Sequence, residues 1–66
     1  MQIYLNGEAL SLADGLSLAQ LIEQQQLLGK RIAVEVNEDL VSRSAYGDCW
    51  LQEGDRVEIV QAIGGG

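Results

Sequence analysis

The sequence predicts a small α+β domain, one main helix packed across a mixed sheet, ending in a flexible C-terminal tail. Three observations carry this expectation. Short alternating apolar–polar stretches stand on both sides of a single helical block, that block opens with N-terminal helix signals, and the last alternating stretch leads into Gly64-Gly65-Gly66. A length of 66 residues allows one domain.

The elements follow in chain order. Residues 2–6 (QIYLN) alternate, with Ile3 and Leu5 on one face and Tyr4 on the other. Asn6-Gly7 comes next, and a two-residue type I′ turn needs the positive φ that this pair tolerates at both positions. Residues 8–12 (EALSL) return with Leu10 and Leu12 in alternation, so the chain opens with a β-hairpin. Ala13-Asp14-Gly15 breaks the pattern. Ser17 then stands as a helix N-cap with Gln20 three residues on, the two halves of a capping box, and Leu16 and Leu21 flank the cap at hydrophobic-staple spacing. Leu18, Leu21, Ile22 and Leu28 fall on one helical stripe, while Glu23, Gln24 and Gln26 face away. Gly29 is the expected left-handed C-terminal cap, with Lys30 and Arg31 close to the negative end of the helix dipole.

Residues 32–37 (IAVEVN) alternate again, placing Ile32, Val34 and Val36 inward and Glu35 outward. After an Asn37-Glu38-Asp39 turn, Leu40 and Val41 suit a short strand. Residues 42–52 carry no clean period, and Tyr46, Trp50 and Leu51 are expected to pack there as satellite core. Glu53-Gly54-Asp55 turns the chain into a last strand at 56–60 (RVEIV), with Val57 and Ile59 inward. The expected division is a domain over residues 1–60 and a tail over 61–66.

Composition removes whole classes of function. Ten carboxylates against four basic residues give a net charge of -6, which opposes nucleic acid and anionic lipid and suits a basic protein partner. With no His, imidazole catalysis, Cys–His dyads and His-rich metal sites are excluded. A single Cys leaves no internal disulfide and fits a reducing compartment. There is no apolar run of membrane-spanning length and no basic start of a signal peptide, so a cytoplasmic location is expected. Phosphate-loop, dinucleotide and metal-ligand spacings are all missing from the sequence, and no metal or bound cofactor is expected. Cys49 adjoins Asp48 and no basic residue, which suits a packed structural thiol better than a nucleophile. The chain's own residues therefore offer no catalytic set, and an enzyme is not expected.

The informative feature is the end. Three consecutive glycines have the most backbone freedom and the least width a polypeptide can have. Residues 61–66, fully extended at ~3.3 Å each, reach roughly 20 Å. A thin tail ending in a carboxylate can thread into a partner's active site that a folded domain cannot enter. That carboxylate is ionised at neutral pH and can attack an activated phosphate, but it must itself be activated before it accepts a nucleophile. A frayed, solvated end is the plain alternative.

In this order and at this length, the pieces resemble the ubiquitin-like β-grasp family, and within it the ThiS/MoaD sulfur carriers, most closely the ThiS branch of thiamine biosynthesis. The resemblance covers essentially the whole chain. It rests on Asn6-Gly7-Glu8, the helical block at residues 17–28, the stretch AVEVNEDLVSR at 33–43, LQEGDRVEIV at 51–60, and Gly64-Gly65-Gly66. Two departures stand out: Ser42 takes the place of a common Pro before the Arg, and the Asn37-Glu38-Asp39 turn lacks the common Gly. The resemblance implies a carrier acted on by partner enzymes. A ThiF/E1-like adenylyltransferase, using its own ATP and magnesium, would adenylate the Gly66 carboxylate, with Gly64 and Gly65 threading the partner's channel. Sulfur from cysteine, delivered through a cysteine desulfurase persulfide, would convert Gly66 to a thiocarboxylate. A ThiG-like thiazole synthase would take that sulfur into the thiazole of thiamine.

Alternation places Tyr4, Ala33 and Val60 on the sheet face away from the helix, as a candidate partner-docking surface with Glu35 and Glu58 as acidic steering groups. Other destinations stay open from sequence: a carrier for molybdopterin, for cysteine or for tRNA thiolation, a ubiquitin-like modifier, or an interaction module without tail chemistry. A chain truncated at Ile63 separates the last of these from the carriers.

Overall fold

The computed structural model describes residues 1–62, so the expectations for Gly64, Gly65 and Gly66 lie outside the described residues. The chain opens as expected with a hairpin. Strands β1 (Gln2–Leu5) and β2 (Glu8–Ser11) pair antiparallel with Leu5 opposite Glu8. Between them Asn6 and Gly7 take φ of 51° and 86°, the left-handed pair a type I′ turn requires.

Helix α1 (Leu18–Gln24) starts where the sequence signals it. Ser17 Oγ accepts from Gln20 N at 3.2 Å and Gln20 Oε1 accepts from Ser17 N at 2.8 Å, closing the capping box. Leu16 and Leu21, the staple pair, are both buried in the core.

The helix ends earlier than its apolar stripe suggests. Gln25, not Gly29, is the C-cap, and Gln26 follows with φ of 62°. Gln26 N donates to Glu23 O at 2.9 Å and Leu27 N to Ile22 O at 3.0 Å, the paired bonds of a Schellman motif. Leu28 therefore leaves the stripe and stands 58% exposed. Lys30 and Arg31 lie beyond the last turn, which holds no basic residue, so they do not cap the dipole.

Strands β3 (Ile32–Val36) and β4 (Asp39–Val41) form a second hairpin around Asn37 and Glu38, at φ of 52° and 72°. A 3₁₀ helix follows at Arg43–Asp48, in the stretch without a readable period. Leu51 joins the core and Tyr46 packs against it, but Trp50 is 60% exposed and is not satellite core. Its backbone instead bridges Ser17 at the start of the helix.

Strand β5 (Arg56–Gln61) runs one residue further than expected and takes the centre of a five-stranded sheet ordered β2-β1-β5-β3-β4. It pairs parallel with β1 and antiparallel with β3, which makes the sheet mixed. Polar side chains fix this centre. Asn6 Oδ1 accepts from Ile59 N at 2.9 Å, and Asn37 accepts from Arg56 N and donates to Asp55 Oδ1, each at 2.9 Å. The core is one layer between helix and sheet: Ile3, Leu16, Leu18, Leu21, Ile22, Val34, Leu51, Val57 and Ile59. The sheet's other face is left uncovered by the described residues. Among the described residues, no helix is long and apolar enough to cross a membrane.

Candidate functional site

The uncovered face is built by strand alternation. Ile32, Val34 and Val36 pack toward the helix side, so Arg31, Ala33 and Glu35 turn outward. On β5, Val57 and Ile59 are buried, so Arg56, Glu58 and Val60 turn outward as well. The register then sets these side chains beside one another: Ala33 opposite Val60 and Glu35 opposite Glu58. Tyr4, 39% exposed, sits on the same face across β5, opposite Arg56. Of the residues expected to form a docking surface, Ala33 and Val60 are thus direct neighbours. Tyr4 belongs to a separate shallow groove with Gly7, Glu38, Arg56 and Glu58. Leu40, opposite Glu35 on β4 and 74% exposed, adds an apolar side chain that the alternation argument left unassigned.

The face continues to the last described residue. Ala62 N donates to Arg31 O at 2.8 Å, which carries the β3–β5 pairing one step past Gln61. The described chain thus ends one residue past its central strand, with Ala62 exposed beside Arg31. A groove there is lined by Arg31, Ile32, Ala33, Arg43, Val60 and Ala62.

Among the described residues there is no cluster of three or more His, Cys, Asp or Glu able to hold a metal, and no buried side-chain polar atom lacks a partner. Cys49 is half-buried, and burial pushes its thiol up, with the negative charge of Asp55 adding to the effect. The contributing carboxylate is Asp55, brought near by the fold, not the sequence neighbour Asp48. Both effects disfavour the thiolate, the form in which a cysteine is nucleophilic.

The profile of the ThiS family matches residues 3–66, which is nearly the whole chain and includes the terminal glycines. The chain belongs to the ThiS family. It is 32% identical to the sulfur carrier protein ThiS of Escherichia coli K12, with all of both chains covered. It is also 42% identical, over its full 66 residues, to a thiazole synthase of Magnetococcus marinus. A second thiazole synthase, from Paramagnetospirillum magneticum, is 32% identical. The chain spans only 20% of the length of each of these two proteins. Among solved structures, the crystal structure of the thiamine biosynthesis protein ThiS from Geobacter metallireducens superposes with a TM-score of 0.85 at 26% identity, covering all of both chains. The mixed sheet with one helix across it is thus the ThiS β-grasp fold.

Proposed function

We propose that this chain is a sulfur carrier, and that Gly66 is the atom-bearing end of the carrier. The observation that carries the proposal is the ThiS-family match over residues 3–66. The chemistry lies with partners. In the active site of a ThiF-like adenylyltransferase, the Gly66 carboxylate attacks the α-phosphorus of ATP, and pyrophosphate leaves with the magnesium. The acyl-adenylate formed makes the carbonyl carbon electrophilic. A persulfide sulfur from a cysteine desulfurase attacks that carbon and expels AMP. A thiol then splits the S–S bond, and Gly66 is left as a thiocarboxylate.

The domain supplies a handle and a tether. Gly64 and Gly65 place no side chain in the partner's channel, and the outer face carrying Tyr4, Ala33, Val60, Glu35 and Glu58 is the surface partners hold. A ThiG-like thiazole synthase is the proposed acceptor. Support comes from two relatives named thiazole synthase, in which a segment like this chain makes up 20% of the protein. A segment similar to this chain and the name thiazole synthase thus belong to one polypeptide, as expected if carrier and acceptor meet in one reaction.

The test is ATP–pyrophosphate exchange by the activating enzyme. Exchange is expected with the intact chain and not with the chain lacking Gly66, whose circular dichroism should be unchanged. Equal exchange by the shortened chain would remove Gly66 from the mechanism.

A further inference from the structure

From Arg56 at its far end toward the tail, the outer face along β3 and β5 changes in charge level by level. At one level Glu35 lies opposite Glu58, at the next Ala33 opposite Val60, and at the last Arg31 is hydrogen-bonded beside Ala62. Arg43, from the 3₁₀ helix, lines the same groove as Arg31 and Ala62. It also lines the adjoining groove that contains Lys30 and Ile32. Three of the four basic residues of a chain with net charge -6 are therefore gathered where the tail begins. All three are exposed, and among the described residues no carboxylate lines either groove. The only ion pair among the described residues joins the Met1 amine to Asp14, so none of the three is paired there. With ten carboxylates available, a corner without one is a departure from the mixed surface that solubility alone produces.

We infer that Lys30, Arg31 and Arg43 form a docking corner for acidic side chains at the mouth of the partner channel that receives the tail. The four residues beyond Ala62 reach at most about 13 Å when extended. With Gly66 in the active site, the corner is held at the channel's mouth, against protein surface and away from the nucleotide. The apolar Ala33–Val60 level and the acidic Glu35–Glu58 level lie directly behind it, so the interface has a polarity. A partner with acidic groups at its mouth and basic groups further out accepts the carrier in the orientation that feeds the tail inward and repels the reverse. This corner rests on the carrier function proposed above and adds the sign of charge at the mouth.

The experiment measures adenylation of the full chain by the ThiF-like enzyme of the same organism, with carrier concentration and ionic strength varied. The paired variant Arg31→Gln/Arg43→Gln is compared with Gln24→Glu/Gln25→Glu, which makes the same change in net charge on exposed residues outside the corner. The expected result is a KM for the carrier raised about tenfold by the arginine variant at low salt, with kcat unchanged, and little change in the glutamine variant. The wild-type advantage should shrink as salt rises. Thermal unfolding of both variants checks that the fold is retained. Equal KM values for the two variants would overturn the corner while leaving the carrier function standing. A lower KM in the arginine variant would also overturn it, by showing that these arginines hold the chain's own tail. No adenylation of the wild-type chain would instead remove the carrier function, and the corner with it.

Discussion

Glu35 and Glu58 are register partners on neighbouring strands and both turn to the outer face, so two like charges stand directly opposite each other. Opposed Cβ atoms in an antiparallel pair lie about 5 Å apart, and like charges there destabilise by roughly 0.2–1 kcal/mol. Coulomb's law in a water-like dielectric gives about 0.8 kcal/mol at that distance. Glu35→Lys replaces this repulsion with an attraction of similar size. Because Glu58 is exposed and Glu35 only half-buried, much of the swing is lost to solvent screening, leaving about 0.5–1 kcal/mol of added stability. For a domain of this size that is roughly 2–8 °C in Tm. The assay is thermal unfolding followed by circular dichroism at about 0.01 M and about 1 M salt, where the Debye lengths are near 30 and 3 Å. The gain should be largest at low salt and mostly gone at high salt, and Glu35→Gln should give about half of it. A variant that is no more stable than wild type, or a gain independent of salt, would refute the cross-strand account. The same substitution should weaken adenylation by raising KM, because it reverses one of the two acidic groups proposed to steer the partner. Stability rising while partner recognition falls is the signature of a repulsion kept for function.

Gln26→Gly should stabilise the domain by about 0.5–1 kcal/mol, since a side chain at φ of 62° carries a left-handed penalty that glycine avoids, less glycine's extra unfolded-state freedom. An unchanged or lower Tm would contradict the assignment of the helix end. Alkylation of Cys49 by iodoacetamide should follow a pH–rate curve displaced upward from that of free cysteine, because burial and Asp55 both raise its thiol pKa. A curve at or below the free-cysteine position would contradict that environment. Tyr4→Asp should leave unfolding nearly unchanged, because this side chain is outside the core, and should raise the KM of the activating enzyme several-fold. A normal KM would remove Tyr4 from the docking face.

The parts of the fold legible in the sequence are those set by local chemistry. Asn6-Gly7 reports its turn because few other residues accept positive φ twice in succession, and Ser17 with Gln20 reports the helix start because both side chains bond within one turn. The helix ends short of the expected Gly29 because Gln26 takes the left-handed position without the residue type that announces it. Leu28 is expected on the helical stripe and Trp50 in satellite core, yet both stand exposed. Hydrophobic type alone does not place a residue inside. The 3₁₀ helix at Arg43–Asp48 has no readable signature because its turn takes three residues, not the 3.6 that an α-helical apolar stripe follows.

For the candidate site, alternation was enough to put Tyr4, Ala33, Val60, Glu35 and Glu58 on one face. Their neighbours were not legible, because alternation says which face a residue takes and not which strand lies beside it. Only the β3–β5 register sets Glu35 against Glu58. Sequence proximity likewise sets Lys30 and Arg31 only near the negative end of the helix dipole. It takes the pairing of Arg31 with Ala62, and the approach of Arg43 from a separate element, to show them at the root of the tail.

The central claim is that Gly66 carries sulfur. It is tested most directly by intact-mass spectrometry of the full chain after incubation with the ThiF-like activating enzyme, ATP, cysteine, a cysteine desulfurase and a thiol reductant. The account predicts a mass increase equal to one oxygen replaced by sulfur, mapped to the peptide ending at Gly66 and missing from the chain that lacks this residue. An unmodified mass, with an activating enzyme shown to be competent on another carrier, would contradict it. The domain would then stand as an interaction module whose sheet face, not its tail, is the working part.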